Sequence, residues 1–415
     1  MRLDSVTMSG CKPVVQGESA GGRADRWLLF VVLLLSFAGV VMVYSSTALM
    51  QISKSGSVAA DDPGIQFAYL KRHVMTLVIA VLSMWGFYRI RPATLRKYSY
   101  PLLALSFLLL LCVFIPGLGV KINGARRWLR LWPSTFQPVE LAKFAMVVSL
   151  SAYLSSPRYR SDSVKAFMKP LLVMLAFQGV ILMQPDFGGA FTLGLITFSM
   201  LFLAGTSMKF FLYTVVAMLP LLLKLLSEPY RMDRIFAFLD PWKYYHGSGF
   251  QLVQSFIALG SGGVTGVGLG ESRQKLRFLP EVNTDFIFAL IGEELGFIGV
   301  TAVLCLFILF FVRGVRVAGR ARSPFSYYAA FGLTIMITMQ ALINIAVVTG
   351  IVPTKGLPLP FISYGGSSLL VNFMAVGTLL RISKAEPEQY GLPVRESIAR
   401  SRPGLKTRRL RRRSL

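Results

Sequence analysis

Apolar runs close to twenty residues long recur along this chain, separated by short stretches where the charges concentrate. A helix of that length crosses a hydrocarbon core of about 30 Å. In order, the runs predict spans over 27–46, 69–88, 98–115 and 139–154, then two between 167 and 205 divided by Gln184-Pro185-Asp186. Four more follow, over 210–226, 287–312, 325–348 and 369–382. The expected fold is all-α, a polytopic membrane protein with ten transmembrane helices. A β-barrel is excluded, because its strands alternate in polarity and run only about ten residues. Residues 1–26 are polar and predicted to be disordered, and 384–415 form a basic tail ending in RRLRRRSL. The domain organisation is thus one ten-helix unit, 27–383, interrupted by a large loop over 227–284 between the seventh and eighth helices. No internal repeat is visible.

Composition agrees: 54% of residues are hydrophobic and 15% charged, with a mean hydropathy of +0.59. The net charge is +25, and the placing of the cations sets the expected orientation. The connectors after the second, fourth and eighth runs hold Arg89, Arg91, Arg96 and Lys97; Arg158, Arg160, Lys165 and Lys169; and Arg313, Arg316, Arg320 and Arg322. Lysine and arginine stay on the cytoplasmic side, so both termini are expected in the cytoplasm, with the large loop outside. Yet the outward segments also carry Lys121, Arg126, Arg127 and Arg130, then Arg231, Arg234, Lys243, Arg273, Lys275 and Arg277. Basic residues on the translocated side suit an anionic ligand such as a phosphate group, or lipid headgroups.

The candidate chemistry sits in PEVNTDFIFALIGEELG, residues 280–296. Asp285 stands at the mouth of an apolar run, and Glu293 and Glu294 lie inside it. Ionisable groups at membrane depth are costly, hence functional candidates. On one continuous helix, Asp285, Ala289, Gly292, Gly296 and Gly299 share a stripe, Glu294 points the other way and Glu293 sits to the side. The three acids therefore form no single cluster. Glu140 and Lys143, three apart, share a helix face and can pair with each other. Asp186 follows a turn, as a cation ligand or as a helix N-cap. Ser363, Gly365 and Gly366 offer backbone N–H groups to a phosphate. Trp128, Leu129, Leu131 and Trp132 beside arginines read as a short helix lying in the membrane interface. The two histidines, His73 and His246, are too few and too far apart in sequence to suggest a histidine zinc site. Cys11, Cys112 and Cys305 imply no disulfide framework. The run Gly266-Val267-Gly268-Leu269-Gly270 lacks the preceding strand of a phosphate loop. The arginine-rich tail reads as a contact for anionic lipid or a protein partner rather than nucleic acid.

Six collinear stretches resemble the SEDS family over 27–383: ARRWLRLWPSTFQPVELAK, QPDFGG, EPYRMDRIFAFLDPW, GSGFQLVQS, PEVNTDFIFALIGEELG and PTKGLPLPFISYGGSS. The third and fourth lean toward the family's cell-division branch rather than its elongation branch. The resemblance implies ten spans and a peptidoglycan glycosyltransferase that polymerises lipid II at the outer face of the membrane, partnered by a class B penicillin-binding protein. Asp285 matches the family's essential aspartate and is expected to be the general base on the acceptor 4-hydroxyl. Arg127, Lys143 and Lys355 match basic motif positions and are expected, with Glu140, Asp186 and Ser363, to bind substrate. Asp285 and Asp186 are the expected ligands of a divalent cation, Mg²⁺ or Mn²⁺. Two other readings remain open on the residues alone: a lipid II flippase using Glu293, Glu294, Gln340 and Asn344, and a scaffold that recruits partners.

Overall fold

A computed structural model of the 415-residue chain describes residues 24–47, 63–122, 124–131, 134–226, 229–272 and 283–384. The predicted disorder of the N-terminal segment falls almost wholly outside these residues. So do nearly all of the basic tail and the cations Arg273, Lys275 and Arg277. The order is α1 (Arg26–Thr47), α2 (Pro63–Arg89), α3 (Pro92–Lys97) and α4 (Ser99–Cys112), then β1 (Gly119–Ile122), β2 (Ala125–Leu131) and β3 (Ser134–Phe136). There follow α5 (Pro138–Leu154), α6 (Val164–Met183), α7 (Phe187–Leu203), α8 (Met208–Leu226), α9 (Pro229–Leu239) and α10 (Phe250–Ser261). The last three are α11 (Ile287–Gly319), α12 (Pro324–Val348) and α13 (Gly366–Ser383).

Each predicted apolar run is helical. Among the described residues, six helices (α1, α2, α6, α11, α12 and α13) are long and apolar enough to cross a membrane, while α4, α7, α10 and the stretch Met208–Pro220 of α8 are apolar but shorter. Apolar side chains cover much of the outside: Phe37 is 67% exposed, Leu82 61% and Trp85 57%. In water such a surface would be penalised; against lipid tails it is not. α5 is buried nearly all round, which places it inside the bundle, against α4, α7 and α12. Small residues set the closest crossings. A Cβ at Gly377 of α13 would overlap the carbonyl of Met84 on α2.

Two expectations are corrected. Of the segment expected to be an interfacial helix, Trp128, Leu129 and Leu131 lie on a strand, and Trp132 lies outside the described residues. β1, β2 and β3 form an antiparallel sheet in that order. The local reason is a two-residue Asn123-Gly124 connection, with Ile122 opposite Ala125 and φ of +80° at Gly124, the preferred chemistry of a tight hairpin. Burial alternates along β2, with Ala125 and Leu129 buried and Arg126 and Arg130 exposed. The segment 227–284 is also more than a loop. Within it α10 buries Leu252, Val253, Gln254, Ser255 and Ala258, and Ser255 Oγ donates to the carbonyl of Val348 at 2.7 Å.

Candidate functional site

The site is organised by the irregular segment between α12 and α13. Pro353, Pro358 and Pro360 forbid a helix there and supply no N–H, so the segment carries a surplus of carbonyls. Buried carbonyls need donors, and side chains of α9 and α12 provide them. Arg234 Nη1 donates to Thr354 O at 3.2 Å, Asn344 Nδ2 to Leu357 O at 2.7 Å, and Gln340 Nε2 to Pro358 O at 3.0 Å. Ser363 Oγ accepts from Leu359 N at 2.8 Å. The proline-rich backbone is thereby held in one shape against α9 and α12.

Asp285 is docked onto this cradle. Asn344 Nδ2 also donates to Asp285 O at 2.7 Å, Ser363 Oγ donates to Thr284 O at 2.5 Å, and Tyr364 N donates to Asn283 O at 2.9 Å. These bonds fix the backbone just before α11. They leave the carboxylate turned toward the loop: a Cβ at Gly356 would lie 2.7 Å from Asp285 Oδ2. Asp285 is only partly buried. Ser363, expected to bind substrate, is buried and holds the loop to Thr284.

Lys355, next to Gly356, reaches the other side. Its Nζ lies 3.7 Å from the ring centre of Phe191 on α7, a cation–π contact. Burial lowers its pKa below the usual lysine value of 10.5, and among the described residues it has no carboxylate partner. Leu357 touches the start of α7, where its side chain would lie 3.2 Å from a Cβ at Gly188. Asp186 opens α7 as its N-cap: one oxygen accepts from Gly189 N at 2.9 Å, the other from Gln137 Nε2 at 3.2 Å. Arg127 donates from Nε to Gln184 O at 3.2 Å and from Nη2 to Pro185 O. Arg127 and Asp186 therefore shape the turn that borders the loop.

Glu140 and Lys143 lie deeper. They pair at 2.9 Å with both side chains almost fully buried, and Lys143 Nζ donates to Gln340 Oε1 at 2.7 Å. Gln340 in turn donates to Ser368 Oγ at 3.1 Å. The chain Glu140–Lys143–Gln340 thus ends on Pro358 and holds up the loop from below. Gln340 and Asn344 carry more of the site's geometry than the residues singled out by charge. The available signal was an amide pair four apart on one face of an apolar helix.

The acids Glu293 and Glu294 lie on the Asp285 side of a break in α11. Gly296 has φ 62° and ψ −160°, so α11 is not continuous, and the expected stripe from Asp285 to Gly299 is cut there. The glycine-rich run after α10 fills the gap. Val267 N and Gly268 N donate to the carbonyls of Glu293 and Glu294 at 3.0 and 3.2 Å, and Phe297 N and Ile298 N donate to those of Gly263 and Val264 at 2.9 and 3.2 Å. Glu294 accepts from Ser45 Oγ of α1 at 2.6 and 2.7 Å, and Glu293 accepts from Ser272 Oγ. As expected, the acids diverge.

Among the described residues no group of three or more His, Cys, Asp or Glu side chains is placed to hold a metal ion. Each oxygen of Asp186 accepts one hydrogen bond and keeps a lone pair, so this carboxylate fits a cation as well. Asp285 fits as a single carboxylate ligand, the kind of site that holds Mg²⁺ when a substrate's phosphates complete the coordination.

A family model described as cell cycle protein, FtsW/RodA/SpoVE, matches residues 25–388. The chain is 42% identical over 363 residues to a probable peptidoglycan glycosyltransferase FtsW of Geobacter metallireducens, covering 87% of this chain and 95% of that one. It is 40% identical over 367 residues to the protein of the same name from Coxiella burnetii, covering 86% and 96%. Among solved structures it is similar to a chain of a peptidoglycan synthase complex that coordinates polymerization and crosslinking, with 30% identity, a TM-score of 0.70, and 87% and 97% of the two chains covered. It is also similar to the rod shape determining protein RodA of Thermus thermophilus, with 27% identity, a TM-score of 0.62, and 87% and 96% covered.

Proposed function

This chain belongs to the FtsW/RodA/SpoVE family of cell cycle proteins, and from that premise we propose that it is a peptidoglycan glycosyltransferase of the cell-division branch, polymerising lipid II. The observation that carries the proposal is the placing of a carboxylate and a lysine on one cradle: Asp285 lies against Gly356, and Lys355 is the next residue. In the proposed topology ten helices span the bacterial inner membrane, both termini are cytoplasmic, and the cradle faces outward. The division septum is the proposed place of action, and the identity to FtsW proteins, higher than that to RodA, supports that branch over elongation.

Asp285 takes the proton of the acceptor's 4-hydroxyl as that oxygen attacks C1 of the donor sugar. The C1–O bond to the diphosphate breaks, the undecaprenyl diphosphate departs with the electron pair, and attack from the opposite face inverts the linkage from α to β. Lys355 stabilises the charge developing on the diphosphate. Arg127, Glu140, Lys143, Asp186 and Ser363 act one step back, holding the turn and the loop in register. A divalent cation would be held by Asp285 together with diphosphate oxygens and would neutralise the leaving group. The class B penicillin-binding partner is proposed on the likeness to a synthase complex.

The test supplies labelled lipid II to the purified protein with its transpeptidase partner, with and without Mn²⁺. Wild type is expected to make glycan strands, and Asp285→Asn to lose about a hundredfold or more in rate, the usual worth of a positioned base. Equal polymerisation by the variant would remove Asp285 from the chemistry. Septation in cells carrying only that variant would support a scaffold instead.

A further inference from the structure

Beyond the break at Gly296, α11 continues to Gly319, roughly 35 Å of helical rise, so its far end is remote from Asp285. There α1, α11 and α13 converge on a cavity of about 290 Å³ whose lining includes Asp25, Arg26, Trp27, Arg313, Arg316 and Arg320. Asp25 grips Arg313, accepting from Nε at 3.1 Å and from Nη2 at 2.5 Å on the same oxygen. The Asp25 N–H donates to Ser383 Oγ at 3.0 Å, which ties the pair to α13. Asp25 is the carboxylate of that lining, and Arg313 occupies it. Among the described residues Arg26, Arg316 and Arg320 have no carboxylate partner. Arg316, in the last turn of α11, and Arg320, its C-cap, lie four apart in sequence and repel each other. A concave wall with three guanidinium groups that no carboxylate among the described residues compensates attracts an anion, and the planar guanidinium fork suits a phosphate.

The surroundings select the kind of phosphate. Trp27 lines the cavity and is 60% exposed; Phe30, one turn along α1, packs edge-on against it at 6.2 Å and is 55% exposed. On α11, Phe311 and Val312 are exposed too. The cavity thus opens onto an apolar wall, where a headgroup's acyl chains can lie and where a soluble anion gains nothing. We propose that this pocket binds the phosphate headgroup of an anionic phospholipid in the leaflet at this end of the bundle. The site is independent of the glycosyltransferase activity and requires only that the chain crosses a membrane.

The test titrates the purified full-length chain, in neutral detergent, with a fluorescent short-chain phosphatidylglycerol, with phosphatidylcholine as the neutral lipid and inorganic phosphate as competitor. Phosphatidylglycerol is expected to bind saturably and phosphatidylcholine not. Arg316→Gln/Arg320→Gln is expected to weaken binding by about 30-fold, given the usual contribution of arginines near an anionic surface. Arg91→Gln/Arg96→Gln, which removes exposed charges of another connector, is expected to leave it unchanged. Equal loss in both double variants would make the attraction diffuse and overturn the pocket. Displacement of the lipid by millimolar phosphate would make a soluble anion the ligand and overturn the lipid. Absence of saturable binding to wild type would overturn both. Lipid binding is read without lipid II, so failure here and failure of the catalytic reading are separate results.

Discussion

Lys143 and Lys355 both sit among apolar side chains, but their partners differ, and so do the effects expected of changing them. Lys143 is 1% exposed and is held by Glu140 at 2.9 Å and Gln340 at 2.7 Å. Removing one member of a buried pair strands the other charge, at a cost of about 3–5 kcal/mol. Glu140→Ala and Lys143→Ala are therefore expected to lower the melting temperature of the detergent-purified protein strongly, and Glu140→Gln/Lys143→Met to recover much of the loss. If each single variant melts like wild type, the pair does not hold up the loop. Lys355 has a ring rather than a carboxylate beside it. Burial lowers its pKa from 10.5, so the folded site releases this proton at a lower pH than an exposed lysine would. A step that needs the ammonium is fully present at low pH and fades as pH rises through the lowered pKa. The alkaline limb of kcat/KM is expected below 10.5 and should vanish in Lys355→Arg, because guanidinium stays protonated. An unchanged limb would assign it to another group.

At the scale of elements, the break in α11 was not legible, although its ingredients were. Acids inside an apolar run stand out by cost, so Asp285, Glu293 and Glu294 were found; a glycine in the same run looks like a packing residue. What makes Gly296 a break is the glycine-rich run some thirty residues earlier, whose N–H and C=O groups replace the lost helical bonds. That exchange is tertiary and leaves no local period. The β1–β2 hairpin was missed for a different reason: arginine and tryptophan suggested an interface, whereas the Asn-Gly pair and the two-residue alternation are the signals of a hairpin. The break has a direct test. A residue other than glycine at φ 62° costs about 1–3 kcal/mol, and a Cβ at Gly296 would also meet Val264 O at 2.6 Å. Gly296→Ala is expected to destabilise by that much or more in thermal melts. Gly179→Ala in α6, where a Cβ meets nothing within 4 Å, should be neutral or stabilising by up to about 1 kcal/mol. Equal behaviour of the two variants would mean that the break is not obligatory.

For the whole molecule, hydropathy gave the helices, and charge gave the proposed direction. The cradle itself was beyond reach, because it joins Asp285, Asn344 and Leu357 through one amide across some seventy residues of chain. Direction matters to the chemistry, since donor and acceptor sugars meet the enzyme on one side only. The basic connectors after α2, α5 and α11 argue for a cytoplasmic location of that end, opposite the sheet and the Asp285 cradle. Exposed positions at each end make this decidable. With the three native cysteines replaced by serine, Lys121→Cys on β1 and Arg158→Cys after α5 both place a thiol at an exposed site. In spheroplasts a membrane-impermeant maleimide is expected to label Lys121→Cys at once and Arg158→Cys only after lysis. The reverse order would put Asp285 on the cytoplasmic side, away from any outward-facing acceptor. Simultaneous labelling would mean that the two ends do not lie on opposite sides of the membrane.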